Sequence, residues 1–234
     1  MNLWVYLAAS PLFWLLATVL AFTIAVQVYE RTGRRAWVNP VGIAILLLMG
    51  VLLVTGTPYP TFFAGAQFVH FMLGPATVAL AVPLWIHRHE VRATALPLLA
   101  AVLAGALTAL ASAVGLAWLL GADAITIASM APKSVTAPVA MGISEKIGGV
   151  PSLTAALVLG TGVLGAVAGP VILRRVGVCD PRAMGTAMGA AAHGVATAAA
   201  FQLDQKAGTY GGLAMALSAL LTSALISVAI LFLR

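Results

Sequence analysis

Long apolar runs separated by short polar turns organise this chain. They cover residues 3–28, 40–55, 61–85, 96–120, 124–147, 150–173, 183–204 and 211–233. A run of about 20 apolar residues is long enough for a helix to cross a bilayer. The pattern therefore predicts an all-α, polytopic membrane protein. The first run is somewhat long, which favours a tilted helix. Asn39-Pro40 opens the second as cap and first-turn proline. Gly56-Thr57-Pro58-Tyr59-Pro60 forms a turn, and the run after it carries Gln67, His70 and a break at Gly74-Pro75. A second break, His193-Gly194, interrupts 183–204.

Basic residues sit in the turns: Arg31, Arg34 and Arg35, then Arg88 and Arg92, then Arg174, Arg175 and Arg182, with Arg234 at the end. Such loops face the cytoplasm. All of them do so only if 124–147 enters and leaves on the outer side as a re-entrant hairpin. The expectation is about seven spanning helices plus that hairpin, with the N-terminus outside and the C-terminus inside. On this topology the chain is one membrane domain, 1–234. A first repeat lies within 29–121, the hairpin is 124–147, and a second repeat fills 150–234. Each repeat supplies three crossings, in opposite senses. Their middle members share Gly74-Pro75-Ala76-Thr77 and Gly194-Val195-Ala196-Thr197. Paired interrupted helices in inverted repeats point to a binding site near the bilayer midplane.

Composition narrows the function classes. Hydrophobic residues make up 62% of the chain, charged residues 8%, and mean hydropathy is +1.08. A soluble domain has about 25% charged residues, so a water-soluble enzyme and a nucleic-acid binder are both excluded. The net charge of +6 comes from the turns and serves orientation. Cys179 stands alone, without a disulfide partner. His87 and His89 flank Arg88 in a basic loop, and no metal-ligand spacing occurs. The N-terminus lacks the basic region of a secretory signal.

One stretch concentrates candidate chemistry: Ala131-Pro132-Lys133-Ser134-Val135-Thr136-Ala137-Pro138. A charge at membrane depth costs roughly 2.5–3.5 kcal/mol on insertion scales and persists where it has a partner or a task. Ser134 or Thr136 can cap a helix running on through Pro138. Helix starts also follow Gly74 and Gly194, with Thr77 and Thr197 beside them. Helix N-termini carry unpaired N–H groups and favour anions. Lys133, Ser134, Thr136, Gly74, Thr77, His193, Gly194 and Thr197 are therefore the candidate binding residues for a small anion. His193, Asp204 and Glu145 are candidates for proton or ion coupling. The plainer readings are an interface-snorkelling Lys133, a helix-packing His193, and Asp204 and Glu145 at wet helix ends. The glycines at 160, 162, 165 and 169 can pack a helix within one subunit or between two, as in a homodimer. No nucleophile–base pair, metal or cofactor is implied, so an enzyme is not expected.

Several segments resemble the LrgB/CidB family. They are residues 132–141, Gly148-Gly149-Val150-Pro151-Ser152, Gly169-Pro170, Ala192-His193-Gly194 with Thr197, Gly212-Leu213-Ala214-Met215, and 73–84. The similarity covers nearly the whole chain. Two departures stand out: Ala137 replaces a second threonine, and Ala198-Ala199-Ala200 lacks the basic residue often found there. The resemblance implies a multi-pass protein of the bacterial inner membrane. Bacterial members are described as holin/antiholin-like modulators of murein hydrolase export and lysis, with small LrgA/CidA-like membrane partners. A similar domain in the plastidial glycolate/glycerate translocator implies carboxylate transport. Two expectations follow: a secondary transporter for a small carboxylate (glycolate, glycerate, lactate or pyruvate), or a holin-like membrane protein.

Overall fold

A computed structural model of the chain describes residues 10–33, 38–72, 75, 78–79 and 81–233. Among them the regular elements are all helices. Residues 3–9, Arg34, Arg35, Trp37, Gly74, Thr77 and Arg234 lie outside the described residues, so the expectations placed on them stay as sequence readings. Among the described residues four helices are long and apolar enough to cross a membrane: Pro11–Arg31, Ala95–Leu119, Pro151–Arg175 and Gln205–Ala229. The chain forms two compact units, Met1–Val82 and Pro83–Arg234. Their boundary falls inside the 29–121 segment that the sequence assigned to a first repeat.

The first unit contains α1 (Pro11–Arg31), α2 (Pro40–Thr55) and α3 (Tyr59–Phe71). Asn39 caps α2, its Oδ1 accepting from the Gly42 amide at 3.0 Å. Gly56 ends the helix in the left-handed region, φ 62°. Trp14 of α1 is fully buried and meets the Phe62 ring of α3 edge-on at 5.7 Å. Leu12, Leu16 and Phe22 remain exposed on α1. In lipid such exposure carries no penalty, because helices associate there through close packing and polar contacts.

A short helix, α4 (Ala81–Ile86), carries the chain into the second unit, which holds α5 (Arg88–Ala93), α6 (Ala95–Leu119), α7 (Ala124–Met130), α8 (Ala137–Lys146), α9 (Pro151–Arg175), α10 (Pro181–Leu203) and α11 (Gln205–Leu233). Asp123 caps α7, accepting from the Thr126 amide at 2.8 Å. α7 and α8 are the two arms of a hairpin around residues 131–136. Both arms are tied to the start of α9. The Val150 amide donates to Ser129 Oγ at 2.8 Å. The Thr154 hydroxyl lies 2.9 Å from the Ser129 carbonyl and 2.7 Å from Ser144 Oγ. Ser129, Ser144 and Thr154 are completely buried. Below this knot, Val135, Ala140 and Val158 pack together.

α10 departs from expectation. The hydropathy pattern predicts one crossing over 183–204, with a break. Instead the chain doubles back at Ala192 (φ −142°, ψ 28°) and His193 (φ 44°, ψ −141°). The contacts with α11 establish the reversal. Gly185 abuts Ala207, Gly189 abuts Gly211, and Ser218 Oγ donates to the Ala190 carbonyl at 3.2 Å, so residues 181–191 run alongside α11 in the same sense. Thr197 then lies against Gly211 and Phe201 against Gly208, so the second arm runs in the opposite sense. Both the start of α10 and the start of α11 reach Glu90, through Arg182 at 3.7 Å and Lys206 at 3.3 Å. One residue at a backbone conformation that non-glycine side chains seldom adopt thus folds a span-length segment into two half-length arms.

One correction follows. The second half contains two full-length helices, α9 and α11, with a doubled-back α10 between them, in place of three crossings. The far end of α11 then lies opposite the Glu90–Arg182–Lys206 cluster. The sequence expects Arg234 on the side of the basic loops; Arg234 lies outside the described residues, and α11 ends, at Leu233, away from the loops of this unit that hold Glu90 and Arg182.

Candidate functional site

A cavity of ≈ 790 Å³ lies within the second unit. One wall is a face of α6, including Gly105, Thr108 and Ser112, and another is the first arm of α10 at Ala187, Ala190 and Ala191. Lys133 and Ser134, from the turn between α7 and α8, reach the same space. Thr94, Asp180, Arg182 and Tyr210 line the end near the basic loops. Small side chains make the cavity possible: alanine and glycine hold the helices close while leaving volume in front of them.

The two charged ends differ. At the end near the basic loops, Arg182 is engaged by two carboxylates. Its guanidinium donates to Asp180 Oδ2 at 2.7 Å and lies 3.7 Å from Glu90. Hydrogen bonds from Arg182 hold the Asp180 carboxyl well below the usual carboxylate range, at about 2. Lys206 and His87 also approach Glu90, at 3.3 and 3.8 Å. The Thr94 and Tyr210 hydroxyls meet at 2.7 Å. Lys133 is the contrast. It is half-buried, its Nζ lies 3.4 Å from Ser134 Oγ, and among the described residues no carboxylate pairs with it. An ammonium without a counter-charge, at depth in a cavity, is suited to receive an anion.

The tips of the two hairpins converge beside it. Val135, two residues beyond Lys133, packs on Val158, while His193 Nε2 is 2.9 Å from the Val158 carbonyl oxygen. The His193 ring and the Ala192 methyl sit over Gly162 and Gly165, where a Cβ would collide with them. This part of the α9 glycine face is therefore filled within the chain. Thr197 Oγ1 donates to the His193 carbonyl at 2.8 Å, which braces the turn.

Of the residues singled out in the sequence, Lys133 and Ser134 line the cavity. His193, Gly194 and Thr197 stand behind its wall, at or just after the turn that follows Ala190 and Ala191. Thr136 occupies the N-cap of α8, but its hydroxyl makes no cap bond. Asp204 caps α11, its Oδ1 accepting from the Lys206 amide at 2.7 Å, and is exposed. It lies about 15 Å of helix from His193. Glu145 is exposed near the outer end of α8. Neither carboxylate joins the cavity. Thr108, Ser112, Arg182 and Tyr210 line it but were not singled out. The signal for the first two was available: they are two hydroxyls four residues apart in an otherwise apolar helix, hence on one face. Among the described residues no group of three or more His, Cys, Asp or Glu comes together to hold a metal ion.

His193 allows a sharp test. A non-glycine residue at φ 44° is strained by roughly 1–3 kcal/mol. His193→Gly relieves that strain and loses the ring contact; His193→Ala loses the contact and keeps the strain. We expect the glycine variant to be more stable than the alanine variant by about 1 kcal/mol, the reverse of the order inside a regular helix. Thermal unfolding in detergent measures this. Greater stability of the alanine variant would mean that the chain does not reverse there.

A model of the LrgB-like family matches residues 18–232. An uncharacterized protein of Bacillus subtilis, YwbG, is 36% identical over 89% of this chain and 92% of its own length. The holin-like protein CidB of Staphylococcus epidermidis is 28% identical over 93% of this chain and 94% of its own. CidB of Staphylococcus aureus is 29% identical over 95% and 96%. No solved structure matches the chain.

Proposed function

This chain belongs to the LrgB-like family of membrane proteins, and from that starting point we propose that it is a secondary transporter for a small carboxylate anion. The observation that carries the reading is the Lys133 ammonium, which lines a 790 Å³ cavity without a carboxylate partner among the described residues, beside two converging hairpin tips. Lys133 neutralises the carboxylate and Ser134 donates a hydrogen bond to it. The hairpins are re-entrant: α7–α8 dips in from outside and α10 from the cytoplasm. The basic turns holding Arg88, Arg92, Arg174, Arg175 and Arg182 face the cytoplasm. The cavity then opens inward past Arg182, and the C-terminus lies outside. Alternating access requires the tips near Val158 to separate and the mouth near Glu90 to close. With Asp204 and Glu145 outside the cavity, His193 is the remaining coupling candidate, and it acts through the Val158 contact.

The test uses purified protein in liposomes. Uptake of short 2-hydroxy and 2-oxo carboxylates should saturate with concentration, while unrelated solutes stay out. A ligand at about 100 times its Kd should also stabilise the folded protein by about 2.7 kcal/mol. Linear, unselective leakage would sink the proposal.

A second reading is holin-like activity, favoured by the names of the staphylococcal relatives. On that reading the protein modulates murein hydrolase export, in company with an LrgA/CidA-like membrane protein. A pore formed between subunits does not depend on one ammonium group, so the two readings separate at Lys133.

A further inference from the structure

We infer that Thr108 and Ser112 of α6 read the 2-position of the substrate, selecting 2-hydroxy carboxylates over unsubstituted ones. This rests on the transport reading above and adds to it a pair of specificity-determining residues.

Apart from Trp118 near its end, α6 carries only these two polar side chains in 25 residues. They lie four apart, both are exposed, and both line the cavity that Lys133 and Ser134 reach. Thr161 and Thr222 also lie on helices of this unit, but of the helix serine and threonine hydroxyls without a bond to the carbonyl four residues back only Thr108 and Ser112 line the cavity. Thr94, Thr186, Thr197 and Thr209 each donate to the carbonyl four residues back, at 2.8–3.0 Å. That is the default for a hydroxyl in a membrane helix, because a free one in hydrocarbon is costly. Among the described residues the Thr108 hydroxyl makes no such bond, and Ser112 Oγ reaches only the Ala109 carbonyl, at 3.3 Å. Both hydroxyls keep capacity to donate and to accept toward the cavity.

That capacity matches one ligand chemistry. With the carboxylate held by Lys133 and Ser134, the next functional group of a small hydroxy acid is a hydroxyl, which also donates and accepts. A 2-oxo group only accepts, and an unsubstituted chain does neither. Ala101, Ala104 and Ala109 on the same wall leave space and offer no competing polar group.

Uptake of lactate, pyruvate and propionate by the wild-type protein in liposomes should run in that order, with lactate ahead of propionate by about 10-fold or more. The Thr108→Val, Ser112→Ala double variant should bring the ratio near one, chiefly by losing lactate uptake. Thr108→Ser, which keeps the hydroxyl, should hold the preference. A double variant that still prefers lactate overturns the inference and leaves the transport reading intact. So does a wild-type protein that takes up all three equally. If the double variant is not folded, a Thr108→Ser protein that loses the preference overturns it equally. A wild-type protein that takes up none of the three defeats the transport reading itself.

Discussion

Lys133→Ala should abolish saturable carboxylate uptake while leaving the protein as stable as before, or more so. The two effects come from the same geometry. Removing one partner of a buried charge pair weakens binding by about 2–5 kcal/mol, roughly 30-fold to more than 1,000-fold. In the unliganded protein, Lys133 has no carboxylate partner among the described residues and only a long contact to Ser134 Oγ at 3.4 Å. Its loss therefore removes a partly desolvated charge and breaks no ion pair. Lys133→Gln should keep the shape and still lose the uptake. Transport assays paired with thermal unfolding measure both quantities. A large fall in stability would make Lys133 a structural residue; undiminished uptake would remove it from the site. Persistence of holin-like activity in the variant, with no carboxylate flux in the wild type, would favour the second reading.

Gly189→Ala should be among the most damaging single-methyl changes in the second unit. A Cβ at Gly189 would collide with the Gly211 carbonyl and lie 2.7 Å from its carbon. The obstacle is backbone, so no side-chain rotamer relieves it. Gly185 meets Ala207 in the same way one turn earlier. The first arm of α10 would have to lift off α11, losing the Ser218–Ala190 hydrogen bond and the packing around it. Overpacking typically costs 1–3 kcal/mol, and we expect about 3 kcal/mol or more here, because rigid main chain must move. The control is Gly160→Ala, where nothing lies within 4 Å of the added carbon. It should be nearly neutral. Comparable unfolding temperatures for the two variants would contradict the parallel packing of that arm on α11.

Most helices were legible because hydropathy reports lipid contact. The runs at 96–120 and 150–173 differ from the observed α6 and α9 by only one or two residues at each end. In the 124–147 segment, prolines, a lysine and the parity of the basic turns all pointed to an interruption around residues 131–136, where the two arms α7 and α8 are separated. α10 was harder. Its 23 residues are long enough to cross, and Ala and Gly fit a crossing as readily as they fit two packed arms. The break at His193-Gly194 was visible, but its direction depends on one positive φ, which no pattern of apolar residues encodes. The same angle decides at which end of the unit α11 finishes. The low hydropathy of 181–203 and the glycines at 185, 189, 208 and 211 were the available clues. At the candidate site, Lys133 stood out by its charge. Thr108 and Ser112 did not, since isolated hydroxyls in an apolar helix usually bond to their own backbone.

The reversal at His193 also has an electrical consequence. Each arm of α10 is only 10 or 11 residues long, about 16 Å, roughly half the hydrocarbon thickness. If water fills the space in front of that arm, the insulating layer thins to the septum around Val158, and the membrane voltage drops there and not over the whole slab. An anion crossing that septum alone would work against or with about 2.3 kcal/mol per 100 mV. Paired with the Lys133 ammonium it crosses as part of a neutral site, and the voltage acts instead on the return of the empty, charged site.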